Sequence, residues 1–95
     1  MYSNLDPLLH SQLRLAIISM LVSSEKIEFT YIKEVTNAAA GNISIQIKKL
    51  QEAGYIKVEK TFKNNYPKTM LFITDKGVKA FESYVNNLKK YINPK

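Results

Sequence analysis

Apolar residues recur at helical spacing between positions 41 and 53. Ile43, Ile47 and Leu50 lie on one side of such a helix. The opposite side carries Gly41, Asn42, Ser44, Ile45, Lys48 and Lys49. Gly54 follows, and glycine is the residue that most readily takes the left-handed conformation just beyond a helix end. The pattern predicts a helix over residues 41–53 with one face for a core and one face for a groove.

Two segments with the period of β-strands come next. They cover residues 56–62 and 69–74, and in both of them successive side chains alternate between two faces. Between them, Asn64 and Asn65 tolerate positive φ and Pro67 cannot donate to a sheet ladder. Residues 63–68 are therefore expected to form a hairpin loop longer than a two-residue turn, with lysines and asparagines at its tip.

The segments before this unit predict two helices and a short strand. Ser11 suits the cap of a helix that runs to about Ser23. An extended piece over residues 27–29 is expected to pair with the hairpin strands, and Thr30 to cap a second helix ending near Thr36. Residues 37–40 then form the turn into the helix over 41–53. The inward residues expected are Leu13, Ala16, Ile17, Met20 and Leu21 in the first helix, and Ile32 and Val35 in the second.

A long last helix is predicted from Thr74 or Asp75 to about Ile92, with Pro94 ending it. Its apolar residues at 78, 81, 85, 88 and 92 are spaced like a coiled-coil seam. Tyr2, Leu5, Leu8 and Leu9 add an N-terminal apolar cluster. These patterns predict a homodimer in which each last helix packs on its mate and on the mate's N-terminal segment. The alternative is that the helix folds back on its own domain. The interface residues expected are Leu5, Leu9, Phe81, Tyr84, Val85, Leu88, Tyr91 and Ile92.

Three stretches of the sequence carry a family resemblance. They read LDPLLHSQLRLAIISML, GNISIQIKKLQEAGYIKVEK and FITDKGVKAF. In this order they resemble the small single-domain winged-helix transcriptional regulators related to the MarR and ArsR families. The resemblance implies an α+β, mainly helical fold: a winged helix-turn-helix with a three-stranded wing sheet and a long C-terminal dimerisation helix over residues 74–92.

Two features depart from that pattern. Gln12 stands where such proteins often carry a proline in the first turn of the opening helix. The chain also has no cysteine, so the thiolate metal sites of many ArsR-type proteins are not implied. We expect no metal and no cofactor.

The basic charge of the chain is concentrated on the predicted helix and hairpin. The 95 residues, which indicate one domain over 1–95, carry a formal net charge of +6 at pH 7. Between residues 40 and 68, six lysines stand against two glutamates, a net +4. Double-stranded DNA suits such a cluster because each neutralised phosphate releases counterions. The ordinary alternative is that these lysines only face solvent.

Catalytic constellations are not evident. His10 is the single histidine, expected to make a local hydrogen bond or a dimer contact, and the eight carboxylates are scattered along the sequence. We predict that the protein is not an enzyme. No apolar run reaches the roughly 20 residues that span a bilayer. No basic stretch precedes an apolar core at the N-terminus. A cytoplasmic location is expected.

The function predicted is that of a sequence-specific, homodimeric DNA-binding regulator, most simply a repressor, that reads a palindromic operator with the helix over 41–53 and the wing over 63–68. Base contacts are expected from Asn42, Ser44 and Ile45, and Gln46 either joins them or bonds within the protein. Lysines 48, 49, 63 and 68 are expected at phosphates, and Asn64 and Asn65 in the minor groove. The alternative is a winged-helix protein-interaction module. The sequence names no effector.

Overall fold

The computed structural model describes residues 2 and 4–93. Helices and strands follow one another in the order expected of a winged helix, which confirms the predicted fold class. The predicted role of Pro94 and the two ends of the predicted domain lie outside the described residues. The elements are α1 Gln12–Ser24, β1 Lys26–Glu28, α2 Phe29–Thr36, α3 Ala40–Glu52, β2 Ile56–Lys63, β3 Tyr66–Ile73 and α4 Asp75–Ile92.

The three strands form an antiparallel sheet in the order β1-β3-β2. Leu71 of β3 lies opposite Ile27 of β1 on one side and Val58 of β2 on the other. The short extended piece before α2 therefore pairs with the hairpin, as its sequence predicts. Leu71 is fully buried and Ile27 nearly so, because this face of the sheet packs against the helices.

One hydrophobic core connects α1, α2, α3 and the sheet. Its fully buried members include Ile17, Ile18 and Leu21 of α1 and Ile32 of α2. Val35, predicted to point inward, is instead 54% exposed. The half-buried Phe29 and Thr36 flank Ile32 on one side of α2, and Val35 falls on the opposite side of Ile32 at helical spacing. The helix also begins at Phe29 with Glu28 as its cap residue, so Thr30 is not the cap.

The end of α3 is fixed by backbone hydrogen bonds. Gly54 has φ +80°, as its position beyond the helix predicts. Its N–H donates to the carbonyl of Gln51, and the N–H of Tyr55 donates to the carbonyl of Leu50, both at 3.0 Å. This pair of bonds is the Schellman motif, which satisfies carbonyls that the helix leaves free. The chain thus turns directly into β2.

The Thr-Asp-Lys-Gly stretch anchors α4 to this same turn. The Thr74 hydroxyl donates to the Gly54 carbonyl at 2.7 Å and accepts the N–H of Gly77 at 3.1 Å, as a helix cap does. Gly77 lies so close to the hairpin that a Cβ there would stand 2.3 Å from the carbonyl oxygen of Tyr55. A side chain at position 77 would therefore force α4 away from the sheet.

The tip of the hairpin differs from the six-residue loop predicted by the sequence. Lys63 pairs with Tyr66, and only Asn64 and Asn65 form the turn, with φ +53° and +66°. Positive φ at both central residues is the signature of a type I′ turn, which matches the twist of the strands. The Lys63–Tyr66 pair that closes the turn exchanges ladder hydrogen bonds, whereas the next pair, Phe62–Pro67, exchanges none, so Pro67 is accommodated. The proline therefore removes no hydrogen bond.

The N-terminal segment packs on its own chain. Leu9 is fully buried in the core and Tyr84 is 4% exposed, so neither side chain offers surface for the interface between copies in which the sequence places it. The Tyr84 hydroxyl lies 3.0 Å from Nδ1 of His10, and Tyr2 stacks at 4.8 Å, between ring centroids, on Tyr91 of the same chain. Leu9 and Tyr84 thus belong to the core of their own chain.

Within residues 2 and 4–93, no helix is both long and apolar enough to cross a membrane.

Candidate nucleic-acid interface

The outward face of α3 carries the side chains that the sequence selects as DNA contacts. Ile43, Ile47 and Leu50 hold the opposite face in the core. The residues left exposed on α3 include Asn42, Ser44, Ile45, Lys48 and Lys49. Ile45 is 56% exposed although it is apolar. An apolar side chain at the centre of a polar helix face has the chemistry to contact a thymine methyl group.

A groove separates α3 from the hairpin, and two lysines line it. Lys48 comes from α3 and Lys60 from β2. The floor contains Ile47 and Val58, which belong to the core or its margin. The α3–wing groove, as we call it, is lined by Phe29, Ser44, Ile47, Lys48, Gln51, Val58, Lys60 and Thr69. Two cations on opposite walls of one groove suit the phosphates of a single backbone.

The register of the hairpin decides which of its lysines share a face with α3. Lys60 lies opposite Thr69, two residues from the Val58–Leu71 pair that faces the core. Side chains alternate along a strand, so Lys60 lies on the α3 side. The hairpin lysine predicted for phosphate contact, Lys68, lies opposite Thr61 on the other side of the sheet.

Lys68 is moreover engaged in an ion pair. Its Nζ lies 3.8 Å from Oε1 of Glu28 on β1. Such a pair at the surface contributes little to stability, but it places a carboxylate beside the lysine, which offsets its attraction for a phosphate. Lys60 is therefore better placed than Lys68 to meet a phosphate, although it is not among the DNA contacts predicted from the sequence.

The tip of the wing combines polar, basic and aromatic groups. Lys63, Asn64 and Asn65 are exposed there, as the sequence predicts. Phe62 and Tyr66 are 78% and 75% exposed, although large aromatic side chains usually bury most of their surface. The cross-strand pairing puts Phe62 on the face shared with Lys60 and Tyr66 on the opposite face. The hairpin thus extends as an arm with one aromatic group on each side.

Gln46 lies at the edge of the α3 face and bonds within the protein. Its Oε1 accepts a hydrogen bond from Nη1 of Arg14 in α1, and its Nε2 donates to Oδ1 of Asn42 at 2.9 Å. Arg14 also donates through Nε to the carbonyl of Leu8 at 2.6 Å. The sequence left both roles open for Gln46, and the structure gives the internal one. The sequence does not predict the contact between Arg14 and Gln46, because it joins residues 32 positions apart.

The predicted seam of α4 divides between two surfaces. Phe81 and Leu88 are half-buried and pack against the protein's own core, as does Leu5. Val85 is half-buried outside that core, and Ile92 is 73% exposed. Val85 joins Val22 and Phe81 along a shallow depression beside α4. Tyr91 is 44% exposed and carries the Tyr2 ring. An apolar strip over Val85 and Ile92 is left outside the core.

Neither a metal-type cluster nor an unsatisfied buried polar side chain occurs among the described residues. In that part of the chain no cluster of three or more histidine, aspartate or glutamate side chains has the arrangement of a metal site. No buried polar side-chain atom there is without a hydrogen-bond partner. The α3–wing groove, by contrast, is lined by two lysines and by no carboxylate.

Comparison with known proteins agrees with this geometry. An uncharacterized protein of Methanocaldococcus jannaschii is 37% identical over 76 residues, which are 80% of this chain and 83% of that protein. The structure of a transcriptional regulator homologue from Pyrococcus horikoshii OT3 superposes with a TM-score of 0.85 at 29% identity, over 92% of this chain and 86% of that one.

Two further comparisons concern the fold and the family. A variant of MarR from E. coli, solved in complex with operator DNA, shares the fold with a TM-score of 0.71 at 15% identity, over 92% of this chain and 61% of that one. The family model described as a winged helix DNA-binding domain matches residues 13–92. That match covers α1 through α4 and includes the whole α3–wing groove. The chain belongs to the winged helix DNA-binding domain family, and its fold is that of regulators related to MarR.

Proposed function

We propose that this protein is a sequence-specific, double-stranded-DNA-binding transcriptional regulator of the cytoplasm. The observation that carries the proposal is the α3–wing groove, where Lys48 and Lys60 stand on facing walls beside an exposed polar helix face. In this arrangement α3 enters the major groove and the hairpin follows the adjacent backbone. The lysines position the protein on the duplex, and Asn42, Ser44 and Ile45 meet base edges.

The regulator acts as a homodimer in this proposal. Val85 and Ile92 present apolar surface that the protomer's own core leaves uncovered, and their spacing by seven residues is that of a coiled-coil position. A second copy that packs on the same strip would form an isologous, two-fold interface. Leu9 and Tyr84 take no part, since they are buried inside each protomer.

Two-fold symmetry has a consequence for the DNA. Two α3 helices related by a two-fold axis read two half-sites about one helical turn apart, and such an operator is palindromic or nearly so. A protein that occupies both half-sites within a promoter excludes polymerase, and repression is the simplest outcome. This role rests on the symmetry proposal and on the α3–wing groove together.

Selection of bound fragments from random duplex DNA tests the proposal directly. We expect a palindromic consensus, and we expect the selected duplex to bind about 10³-fold or more tightly than a scrambled duplex at physiological salt. The scrambled duplex of identical composition is the matched control, because it retains every phosphate contact. Equal affinity for the two would reject sequence-specific recognition and leave a non-specific or protein-binding role.

A further inference from the structure

A continuous chain of hydrogen bonds joins α1 to the outward face of α3. Arg14 donates to the Leu8 carbonyl and to Oε1 of Gln46. Gln46 then donates through Nε2 to Oδ1 of Asn42, one helical turn earlier, at 2.9 Å. Asn42 is exposed and lies in the first turn of α3. In helix-turn-helix proteins, the N-terminal residues of the recognition helix meet base edges.

The chemistry of Arg14 fixes the direction of every bond in this chain. A guanidinium has only donors, so the atom of Gln46 that faces it must be the oxygen. The amide nitrogen of Gln46 then faces Asn42, and because that nitrogen also only donates, Asn42 must present its oxygen. The Nδ2 group of Asn42 is left over. Among the described residues it has no partner within the protein.

We infer that Arg14 and Gln46 are positioning residues that fix Asn42 as a hydrogen-bond donor toward the DNA. The inference rests on the proposed function and deepens it by naming the base chemistry at one position. A fixed donor selects a base edge made of acceptors. Guanine offers N7 and O6 together in the major groove and fits best, whereas the amino group of cytosine opposes a donor.

A purely structural role for the same bonds gives a different expectation. Hydrogen bonds between Gln and Asn four residues apart also stabilise a helix. Removing such a contact changes stability and leaves base preference unaltered. The two roles are separated by a substitution that keeps the contact and reverses its direction.

Gln46→Glu is that substitution. Its carboxylate is nearly isosteric with the amide and still accepts from Arg14, but its second oxygen can only accept. Asn42 must then turn its amide over, donate through Nδ2 to position 46, and expose Oδ1 as an acceptor. We expect base preference at one position of each half-site to move from guanine to a base with an exposed amino group, cytosine or adenine, by a factor of about ten in relative affinity.

Asn42→Ala supplies the matched background. The added carboxylate weakens DNA binding in general, because it repels phosphates. In the Asn42→Ala protein, Gln46→Glu still causes this general loss of affinity, but the side-chain amide of position 42, which would turn over, is absent. We therefore expect Gln46→Glu to change base preference only when Asn42 is present.

A measurement without DNA tests the same geometry. In the wild type both side-chain NH2 protons of Asn42 are free to exchange with water, whereas in Gln46→Glu one of the two is bonded to position 46. We expect NMR hydrogen exchange of the bonded proton to slow by several-fold in the variant. This readout reports the turning of the amide independently of any operator.

The outcomes are distinct. A wild type that selects no preferred sequence would overturn the proposed function. A wild type that is specific, combined with a Gln46→Glu variant whose Asn42 protons exchange more slowly yet whose base preference is unchanged, would overturn this inference alone. Unchanged exchange of the Asn42 protons in Gln46→Glu would also overturn it. Altered exchange together with altered preference, lost in the Asn42→Ala background, would establish it.

Discussion

Replacing Lys60 by Ala removes a positive charge from one wall of the α3–wing groove. The side chain is exposed, and it lines the groove together with Lys48, so the expected effect falls on DNA binding and hardly on folding. If Lys60 meets one phosphate per protomer, its loss makes the dependence of log affinity on log salt shallower by about 0.9 for each protomer bound.

The size of this change in slope shows whether one protomer or two are bound to the duplex. Two protomers on one duplex lose two contacts, so the slope becomes shallower by about 1.8. Raising the salt from about 50 to about 200 mM then costs the wild type roughly twelvefold more affinity than it costs the variant, against roughly 3.5-fold for a single protomer. Fluorescence anisotropy of a labelled duplex over this salt range measures the slope.

Lys68→Ala is the control within the same hairpin. Lys68 lies on the other face of the sheet and is paired with Glu28, so its removal should leave the slope nearly unchanged. A larger change for Lys68→Ala than for Lys60→Ala would refute the assignment of faces, and with it the position of the DNA along the groove.

Three further predictions concern assembly and stability. Val85→Lys places like charges against each other across the proposed two-fold axis without entering the protomer's own core, so sedimentation should give a folded monomer; a variant that stays dimeric would rule out this interface. In urea unfolding, Gly77→Ala should lower the free energy of unfolding by about 2 kcal/mol, because its Cβ meets the Tyr55 carbonyl. Gly41→Ala, whose Cβ has nothing within 4 Å, should raise it by up to about 1 kcal/mol, and equal effects of the two substitutions would contradict the close approach at Gly77. Burial, and to a lesser extent the hydrogen bond to Asp6, raises the pKa of Tyr55 from 10.0 to about 12. Because the pKa is higher in the folded state, the associated stability is present below pH 10 and is lost as the pH rises from 10 toward 12. Melting temperatures measured over this pH range should show the loss in the wild type and not in Tyr55→Phe.

The sequence predicts the elements that depend on local signals. Gly54 ends α3 because the left-handed conformation costs glycine nothing, and Thr74 caps α4 because its hydroxyl reaches the N–H of Gly77. The core face of α3 follows from the spacing of its three buried residues. Each of these features is decided within a few residues along the chain.

What the sequence misses depends on partners that are distant in the chain. Pro67 suggests a long loop, but an antiparallel ladder has positions where a proline loses no hydrogen bond. Because the predicted loop over residues 63–68 includes Lys68, the alternation of a strand could not assign that lysine to a face. The contact of Arg14 with Gln46 and the burial of Leu9 depend likewise on how the helices meet. Helical spacing in α4 predicts an apolar strip, but it does not show which residues of the strip pack on the core of the same protomer.

The two-residue turn at Asn64 and Asn65 makes the length of the wing a discrete quantity. Such a turn closes on a pair that exchanges both ladder hydrogen bonds, and these pairs occur at every second position. Evolution or an engineer can therefore lengthen the arm only by two residues in each strand at a time, a step of about 7 Å. Adding one residue to each strand would place the turn on a pair that exchanges no ladder hydrogen bonds. It would also move each aromatic side chain at the tip to the opposite face of the sheet. Homologous wings that retain the same turn should accordingly differ in reach by whole steps, with Lys60 keeping its side of the sheet throughout.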